Sequence, residues 1–238
     1  NVLDKNKSKY SPIFLQDFRK AKIGVIVACR MKSKRLPQKA IIPILGVSSV
    51  ERCLVQCLEI KGIDKIILAT SNLDEDSVLK DSTCDSRVIF FQGDPDNVIK
   101  RYVDACKKFE IDIVVRITAD CPLIIPEIIE QLVDEHFKSG ADFTYANSFA
   151  VGTSGEIINF NALKKISEIF EKAEYSEYMS WYFKNNPENF KINSVDLPKE
   201  LIRDYRMTLD YPEDLQMFEQ LYQLLGGEKK AHTGKEIS

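Results

Sequence analysis

The chain has 238 residues, with 33 Lys and Arg against 36 Asp and Glu for a formal net charge of −3, and it is 44% hydrophobic and 29% charged. That balance excludes collagen-like, disordered and coiled-coil chains, and it leaves no global positive field for a nucleic-acid duplex, so any bound anion must be held by a local cluster. The length suits one large domain, and no apolar run approaches the ~18 residues of a membrane helix.

The chain opens on Asn1, and residues 1–21 are polar and Lys-rich apart from a short patch at Pro12-Ile-Phe-Leu. They read as a linker or as the edge of a longer polypeptide. With no apolar h-region they do not read as a secretory signal, which points to a cytoplasmic protein. Lys22-Ile-Gly-Val-Ile-Val-Ala-Cys29 is a continuous apolar run, the pattern of a strand buried on both faces of a parallel sheet.

The next ten positions, from Arg30 to Lys39, hold five basic residues (Arg30, Lys32, Lys34, Arg35, Lys39) and no acidic one. Such a run is often a solvated loop. Here it follows a central strand and is pinned by Pro37, the place where open α/β sheets bind ligands, and guanidinium forks suit phosphate oxygens. It is not a P-loop, and no G-x-G-x-x-G motif is present.

Further strand-like runs follow at 65–70, 87–91 and 112–117, with helix-period segments between them, as parallel crossovers require. Asp94 is placed to cap a helix with Pro95 at its first position. Pro126 starts the next helix, whose apolar stripe includes His136 and ends at Gly140. Gly152 and Gly155 mark turns, two aromatic-rich helices are expected near 161–172 and 175–185, and 206–210 reads as a final strand before a helix begun by Pro212. Trp181 and its aromatic neighbours lie at helical spacing, which favours core or dimer packing over a stacking wall. The domain therefore runs over 22–225, and the apolar-poor residues 226–238 are expected to form a flexible tail.

Two aspartates, Asp120 in Thr118-Ala-Asp-Cys-Pro122 and Asp210 in Thr208-Leu-Asp-Tyr-Pro212, end strands at one sheet edge in this reading. Opposite a basic loop they could hold a divalent ion with a triphosphate, but Asp before Pro is also an ordinary turn cap, and spacing alone leaves both open. His136 and His232 fit no hydrolase motif. Six cysteines are scattered without C-x-x-C pairs and read as reduced and structural; Cys53 and Cys57 are four apart, but no second Cys or His pair completes a metal set.

Several segments in order, Arg30-x-x-Ser33-x-Arg35-Leu-Pro-x-Lys39, Leu68-Ala-Thr-Ser71, Gly93-Asp-Pro-Asp-Asn-Val-Ile-Lys-Arg-Tyr102, Val115-Arg-Ile-Thr-Ala-Asp-Cys-Pro122 and Arg206-Met-Thr-Leu-Asp-Tyr-Pro-Glu-Asp-Leu215, resemble the SpsF-like cytidylyltransferases of spore-coat polysaccharide biosynthesis. That family is related to the enzymes that make CMP-Kdo and CMP-sialic acid. The resemblance implies an α/β, Rossmann-like nucleotidyltransferase fold of the nucleotide-diphospho-sugar transferase type, with a mixed, mostly parallel central sheet flanked by helices.

It further implies that Arg30, Ser33, Arg35 and Lys39 contact the CTP phosphates and that Asp120 and Asp210 bind Mg²⁺ or Mn²⁺. Arg30, Lys39 and Asp120 would be catalytic, and Thr70, Ser71, Gly93 and Asn97 would lie near the base or ribose. Glu156, Glu177 and Tyr178 would face the acceptor, an acidic sugar or a phosphorylated small molecule. No nucleic acid or membrane is expected as a partner, and the assembly would be a homodimer. The chain departs from the family at Gln38, where Gly is usual, and at Ser176-Glu-Tyr178, where Arg-Glu-His is common. Another nucleoside triphosphate, or a non-catalytic docking or dimerisation module of a longer synthase, are the competing readings.

Overall fold

The computed structural model describes residues 20–147, 150–170 and 179–237. Its core is a seven-stranded sheet of β1 (Ile23–Ala28), β4 (Lys65–Ser71), β5 (Val88–Gly93), β6 (Ile113–Thr118), β7 (Phe143–Ala146), β8 (Glu156–Asn159) and β9 (Ile192–Val195), in the order β5-β4-β1-β6-β8-β7-β9, beside a separate hairpin of β2 (Pro43–Ile44) and β3 (Val47–Ser48). Strands β5, β4, β1 and β6 run parallel, and β7 and β9 pair parallel; β8 alone is reversed, antiparallel to both neighbours. The mixed, mostly parallel sheet is thus the expected one, and β1 lies inside it with partners on both edges.

The apolar runs explain the layering. Alternate residues of β1 face opposite sides: Val25 and Val27 pack with α1 (Ser49–Cys57) and α3 (Pro126–Ser139), whereas Ile26 packs with α2 (Val98–Phe109), α4 (Phe160–Ile169) and α5 (Ser180–Lys184). The aromatic cluster falls on the second side, where the rings of Phe143 and Phe183 stack 4.6 Å apart. Tyr182 and Phe183 are core residues, while Trp181 is 42% exposed. A third cluster gathers Leu36, Ile44, Leu209, Phe218 and Tyr222 under α6 (Pro212–Leu224). No helix among the described residues is long and apolar enough to cross a membrane. All six cysteines are free thiols, and all but Cys84 are buried.

Local chemistry sets the entry to α1. The hairpin of β2 (Pro43–Ile44) and β3 (Val47–Ser48) turns through Leu45 and Gly46, with φ of 48° and 77°, the left-handed pair that a tight hairpin demands. Ser48 and Glu51 then cap α1 reciprocally. His136 behaves as packing: it is buried on α3, with Nδ1 2.9 Å from the Thr144 hydroxyl.

Burial pushes the His136 pKa down from the usual 6.5 to about 4. The unfolded chain therefore takes up a proton first, and stability is lost as pH falls from about 6.5 towards about 4. The expected result is a contribution of about 2 kcal/mol lost between pH 7 and pH 5, and absent in His136→Gln, measured by urea unfolding at both pH values. The same loss in the variant would remove His136 as its source.

Three expectations are corrected. Helix α2 begins at Val98 and is capped by Asn97, not by Asp94 with Pro95 inside. Asp94 Oδ1 instead accepts from the Asp96 and Asn97 amides, at 3.1 and 2.8 Å, closing a separate turn. The Arg101 guanidinium holds the Asp94 and Pro95 carbonyls and keeps that turn out of the helix.

Residues 206–210 form one isolated bridge, Val151 to Arg206, and no ladder. The Met207 amide donates to the Val151 carbonyl (2.6 Å) and the Leu209 amide to the Asp120 carbonyl (2.8 Å), two partners on different loops. Gly152, at φ 93°, permits this approach, because a Cβ there would strike the Met207 carbonyl.

Residues 226–237 are docked rather than a flexible tail. Arg52, buried on α1, donates to the carbonyls of Ile44, Gly227 and Glu228 and lies 4.0 Å over the Tyr222 ring. The Gln56 amide pairs with the backbone of His232 in both directions, at 3.0 and 2.6 Å, and α7 (Gly234–Ile237) follows. Polar contacts to backbone, invisible to an apolar count, hold this segment. The expected aromatic helices are α4 and α5; residues 171–178 between them lie outside the described residues.

Candidate active site

From β1 the chain moves to β4 and β5 on one side and then crosses to β6 on the other, so the winding reverses between β1 and β6. Ligands of open α/β sheets lie beyond the carboxyl ends of strands at such a reversal. The basic loop leaves β1 there, and the turn carrying Asp120 leaves β6 beside it.

The loop is held by its apolar members and by hydrogen bonds. Met31, Leu36 and Ala40 are buried, and the Ser49 hydroxyl donates to the Lys39 carbonyl at 2.8 Å. Gln38 takes φ 55°, the left-handed conformation that Gly accepts freely and that costs a residue with a Cβ roughly 1–2 kcal/mol. The Gln38 carbonyl accepts from the Ile41 amide at 3.0 Å and so turns the loop immediately around Lys39. Gln38 accepts that strain, and the loop turns here without a Gly.

That path aims Lys39 at the two aspartates. Lys39 Nζ is 2.8 Å from Asp120 Oδ2 and 2.9 Å from Asp210 Oδ1. Arg35 Nη2 is 2.6 Å from the same Asp210 oxygen, and Asp210 Oδ2 accepts from the Thr208 hydroxyl at 3.0 Å and faces Arg206 at 3.4 Å. Arg206 also pairs with Asp214. Tyr211 lies between the two guanidiniums, with ring-centre distances of 5.1 Å to Arg35 and 5.9 Å to Arg206.

The capping alternative for Asp210 is removed by Asp214, whose Oδ2 accepts the Asp210 and Tyr211 amides at 2.8 Å each and so caps α6 itself. Asp210 is left to the cations. The Leu209-to-Asp120 backbone bond brings the two aspartates side by side.

Charge state follows from these contacts. Burial is the largest single influence on Asp210 and opposes ionisation, yet Lys39, Thr208 and Arg35 together hold its carboxyl below the usual 3.8. Burial likewise opposes the Lys39 ammonium, and the two carboxylates overcome it and raise its pKa. Asp210 and Lys39 are therefore both charged at neutral pH. The Asp210 contribution is fully present above its unfolded pKa and is lost as pH falls through the lower folded value.

The remaining expected residues make local contacts of their own. Arg30 is exposed on the loop, and the Ser33 hydroxyl approaches the Leu36 amide at 3.4 Å. Thr70 and Ser71 end β4 and are both buried. Gly93 ends β5 with no room for a Cβ, which would fall 2.8 Å from Arg101 Cγ, and Asn97 caps α2 through the Lys100 amide at 2.9 Å. Glu156 begins β8 opposite Arg116, with Oε2 2.8 Å from Nη1. Glu177 and Tyr178 lie outside the described residues. Among the described residues no three His, Cys, Asp or Glu side chains gather as a metal cage.

Asp76 is a residue supporting the basic loop that sequence reasoning missed. It is buried in the 3-10 stretch Asp74–Ser82, accepts the Met31 amide at 2.7 Å, and is hydrogen-bonded by the Ser71 hydroxyl. It thus ties the start of the basic loop to the end of β4. Its neighbours Asp74 and Glu75 are exposed acids of the same kind, so the run Asp74-Glu75-Asp76 carries no local signal that its third member turns inward.

The chain is similar to several known proteins. A family profile described as cytidylyltransferase matches residues 24–231. The chain is 30% identical over 208 residues to the spore coat polysaccharide biosynthesis protein SpsF of Bacillus subtilis, covering 84% of this chain and 86% of that one. Among solved structures, a cytidylyltransferase from Leptospira borgpetersenii superposes with a TM-score of 0.82 at 28% identity, covering 91% of this chain and 92% of that one. A CMP:2-keto-3-deoxy-manno-octonic acid synthetase solved in complex with CTP shares the fold, with a TM-score of 0.65 at 17% identity, 85% of this chain and 99% of that one.

Proposed function

This chain belongs to the cytidylyltransferase family, and we propose that it transfers CMP from CTP to an acidic sugar or a phosphorylated small molecule destined for a surface polysaccharide, releasing pyrophosphate. The observation that carries the reading is the convergence of Lys39 on Asp120 and Asp210, at 2.8 and 2.9 Å, with Arg35 beside them at the winding reversal. Cations and carboxylates at one sheet edge are what a triphosphate carried with a divalent ion requires. The polysaccharide role is supported by the name of the Bacillus relative, and the six free thiols suit a reducing compartment such as the cytoplasm.

In this reading Arg30, Ser33, Arg35 and Lys39 bind the phosphates and neutralise charge that develops on the leaving pyrophosphate. Asp76 holds the loop in register from below. The acceptor oxygen attacks the α-phosphorus in line, so the protein's task is positioning and charge compensation. The donor set fits a hard divalent ion: two carboxylates that reach one common point, with oxygen ligands only, match Mg²⁺ or Mn²⁺, which take one or two carboxylates and fill the rest with phosphate and water. Asp120 and Asp210 would hold it, and bound there it would supply charge stabilisation at the phosphoryl oxygens. A phosphate acceptor needs no general base; a sugar hydroxyl must lose its proton, and the carboxylates at this edge are the candidate acceptors for it.

The test is pyrophosphate release with each of the four nucleoside triphosphates against a panel of acidic sugars and phosphorylated acceptors. CTP is expected to support turnover far above the other three. Preference for GTP or UTP would move the base assignment, and no release with any pair would favour a docking or dimerisation module.

A further inference from the structure

The contacts of Lys39 carry a consequence for how the site is loaded, and it rests on the nucleotidyltransferase reading above. We infer that Lys39 is an internal placeholder for the divalent cation: its ammonium occupies the point shared by Asp120 and Asp210 in the free protein, and a cation joins the site only when the triphosphate draws Lys39 onto its own oxygens.

Lys39 fills the point that Asp120 Oδ2 and Asp210 Oδ1 share. Asp210 Oδ1 already accepts from Lys39 and Arg35, at 2.9 and 2.6 Å, and Oδ2 accepts from Thr208 at 3.0 Å and faces Arg206 at 3.4 Å. Asp120 Oδ2 accepts from Lys39 at 2.8 Å. A compact ammonium between two carboxylates does for them what a small divalent ion does, and the two occupants compete for the same lone pairs.

Charge points the same way. Three cations, Lys39, Arg35 and Arg206, face three carboxylates, Asp120, Asp210 and Asp214. A divalent ion added alone would leave this partly buried cluster strongly positive, whereas an ion arriving with a polyanion would not. Lys39 is also built to move at its head only. Its backbone is fixed by the Ser49 hydroxyl on its carbonyl and by its amide on the Leu36 carbonyl, while its side chain stays 20% exposed.

Metal and nucleotide should therefore bind with positive coupling, each raising the other's affinity through the release of Lys39. This separates Lys39 from a plain phosphate contact, whose removal would weaken nucleotide binding and leave metal affinity alone.

The experiment is Mn²⁺ titration of nucleotide-free protein followed by electron paramagnetic resonance. Wild-type protein and Lys39→Arg are expected to bind Mn²⁺ weakly, Lys39→Met at least tenfold more tightly, and the Lys39→Met/Asp120→Asn pair as weakly as wild type. Equal Mn²⁺ affinity in wild type and Lys39→Met would overturn the placeholder role. Should Lys39→Met lack the wild-type near-ultraviolet circular dichroism, Lys39→Gln serves for the same comparison and is read the same way. A separate arm adds CTP to wild-type protein with Mn²⁺. Failure to form that ternary complex would count against the proposed function, while the nucleotide-free comparison still decides the placeholder role.

Discussion

Asp210→Asn and Asp120→Asn are each expected to lower turnover by roughly 10²- to 10⁴-fold at saturating CTP and Mg²⁺, the several kcal/mol that metal and charge stabilisation supply to phosphoryl transfer. Asn keeps the shape of each side chain and deletes the charge that Lys39 meets at 2.9 and 2.8 Å. Stability should change far less. Asp120, 25% exposed at its side chain, is expected to lose no more than about 1 kcal/mol. Asp210 is more enclosed and carries more hydrogen bonds, so its variant is expected to lose about 1–2 kcal/mol. The measurement is initial pyrophosphate release beside urea unfolding of the same samples. Near-wild-type rates in both variants would reduce the aspartates to turn residues before Pro122 and Pro212 and would separate the basic loop from any metal.

The second large effect is on folding and lies away from the site. Arg52→Ala removes a buried guanidinium that satisfies the carbonyls of Ile44, Gly227 and Glu228 and covers the Tyr222 ring. Leaving buried carbonyls unpaired and opening space under Tyr222 is expected to cost about 3–5 kcal/mol. Limited proteolysis should then cut within 226–237, whereas wild-type protein is expected to resist cleavage there. Arg52→Lys, with one charged head in place of a fork, should fall between the two. A loss below about 1 kcal/mol without new cleavage would mean that the C-terminal segment is held by other contacts.

These two sites show why one part of the molecule was readable and another was not. Strands β1, β4 and β6 announced themselves as short apolar runs because each lies inside the sheet and is mostly buried, and the edge strand β5 because Val88 and Phe91 turn into the core; a residue pattern reports burial directly. The basic loop was readable because it packs five cations into ten positions. Asp120 and Asp210 could be named from their motifs, but whether they meet depends on the bond from the Leu209 amide to the Asp120 carbonyl, across 89 positions that no local pattern spans.

Backbone hydrogen bonding escaped for the same reason. Segment 206–210 has the apolar alternation of a strand, yet its amides go to Val151 and Asp120 on separate loops. The C-terminal segment has little apolar content and is held by Arg52 and Gln56 through main-chain atoms. At 94–97, Pro and Asp suit a helix start, but Arg101, one turn into α2, claims the carbonyls and delays it. Gln38 is a different case: a departure from the usual Gly is visible in the sequence, but that the residue accepts the strain of φ 55° is visible only in the turn around Lys39.

Cytidylyl transfer by this chain requires the basic loop and the Asp120–Asp210 pair to form a single site for a triphosphate and its cation. Anomalous diffraction from crystals grown with CTP and Mn²⁺ tests it most directly. The expected map has a manganese peak bounded by the Asp120 and Asp210 carboxylates and by phosphate oxygens, with Lys39 and Arg35 on the triphosphate. A triphosphate bound elsewhere, with Lys39 still bridging the two aspartates and no manganese between them, would contradict it.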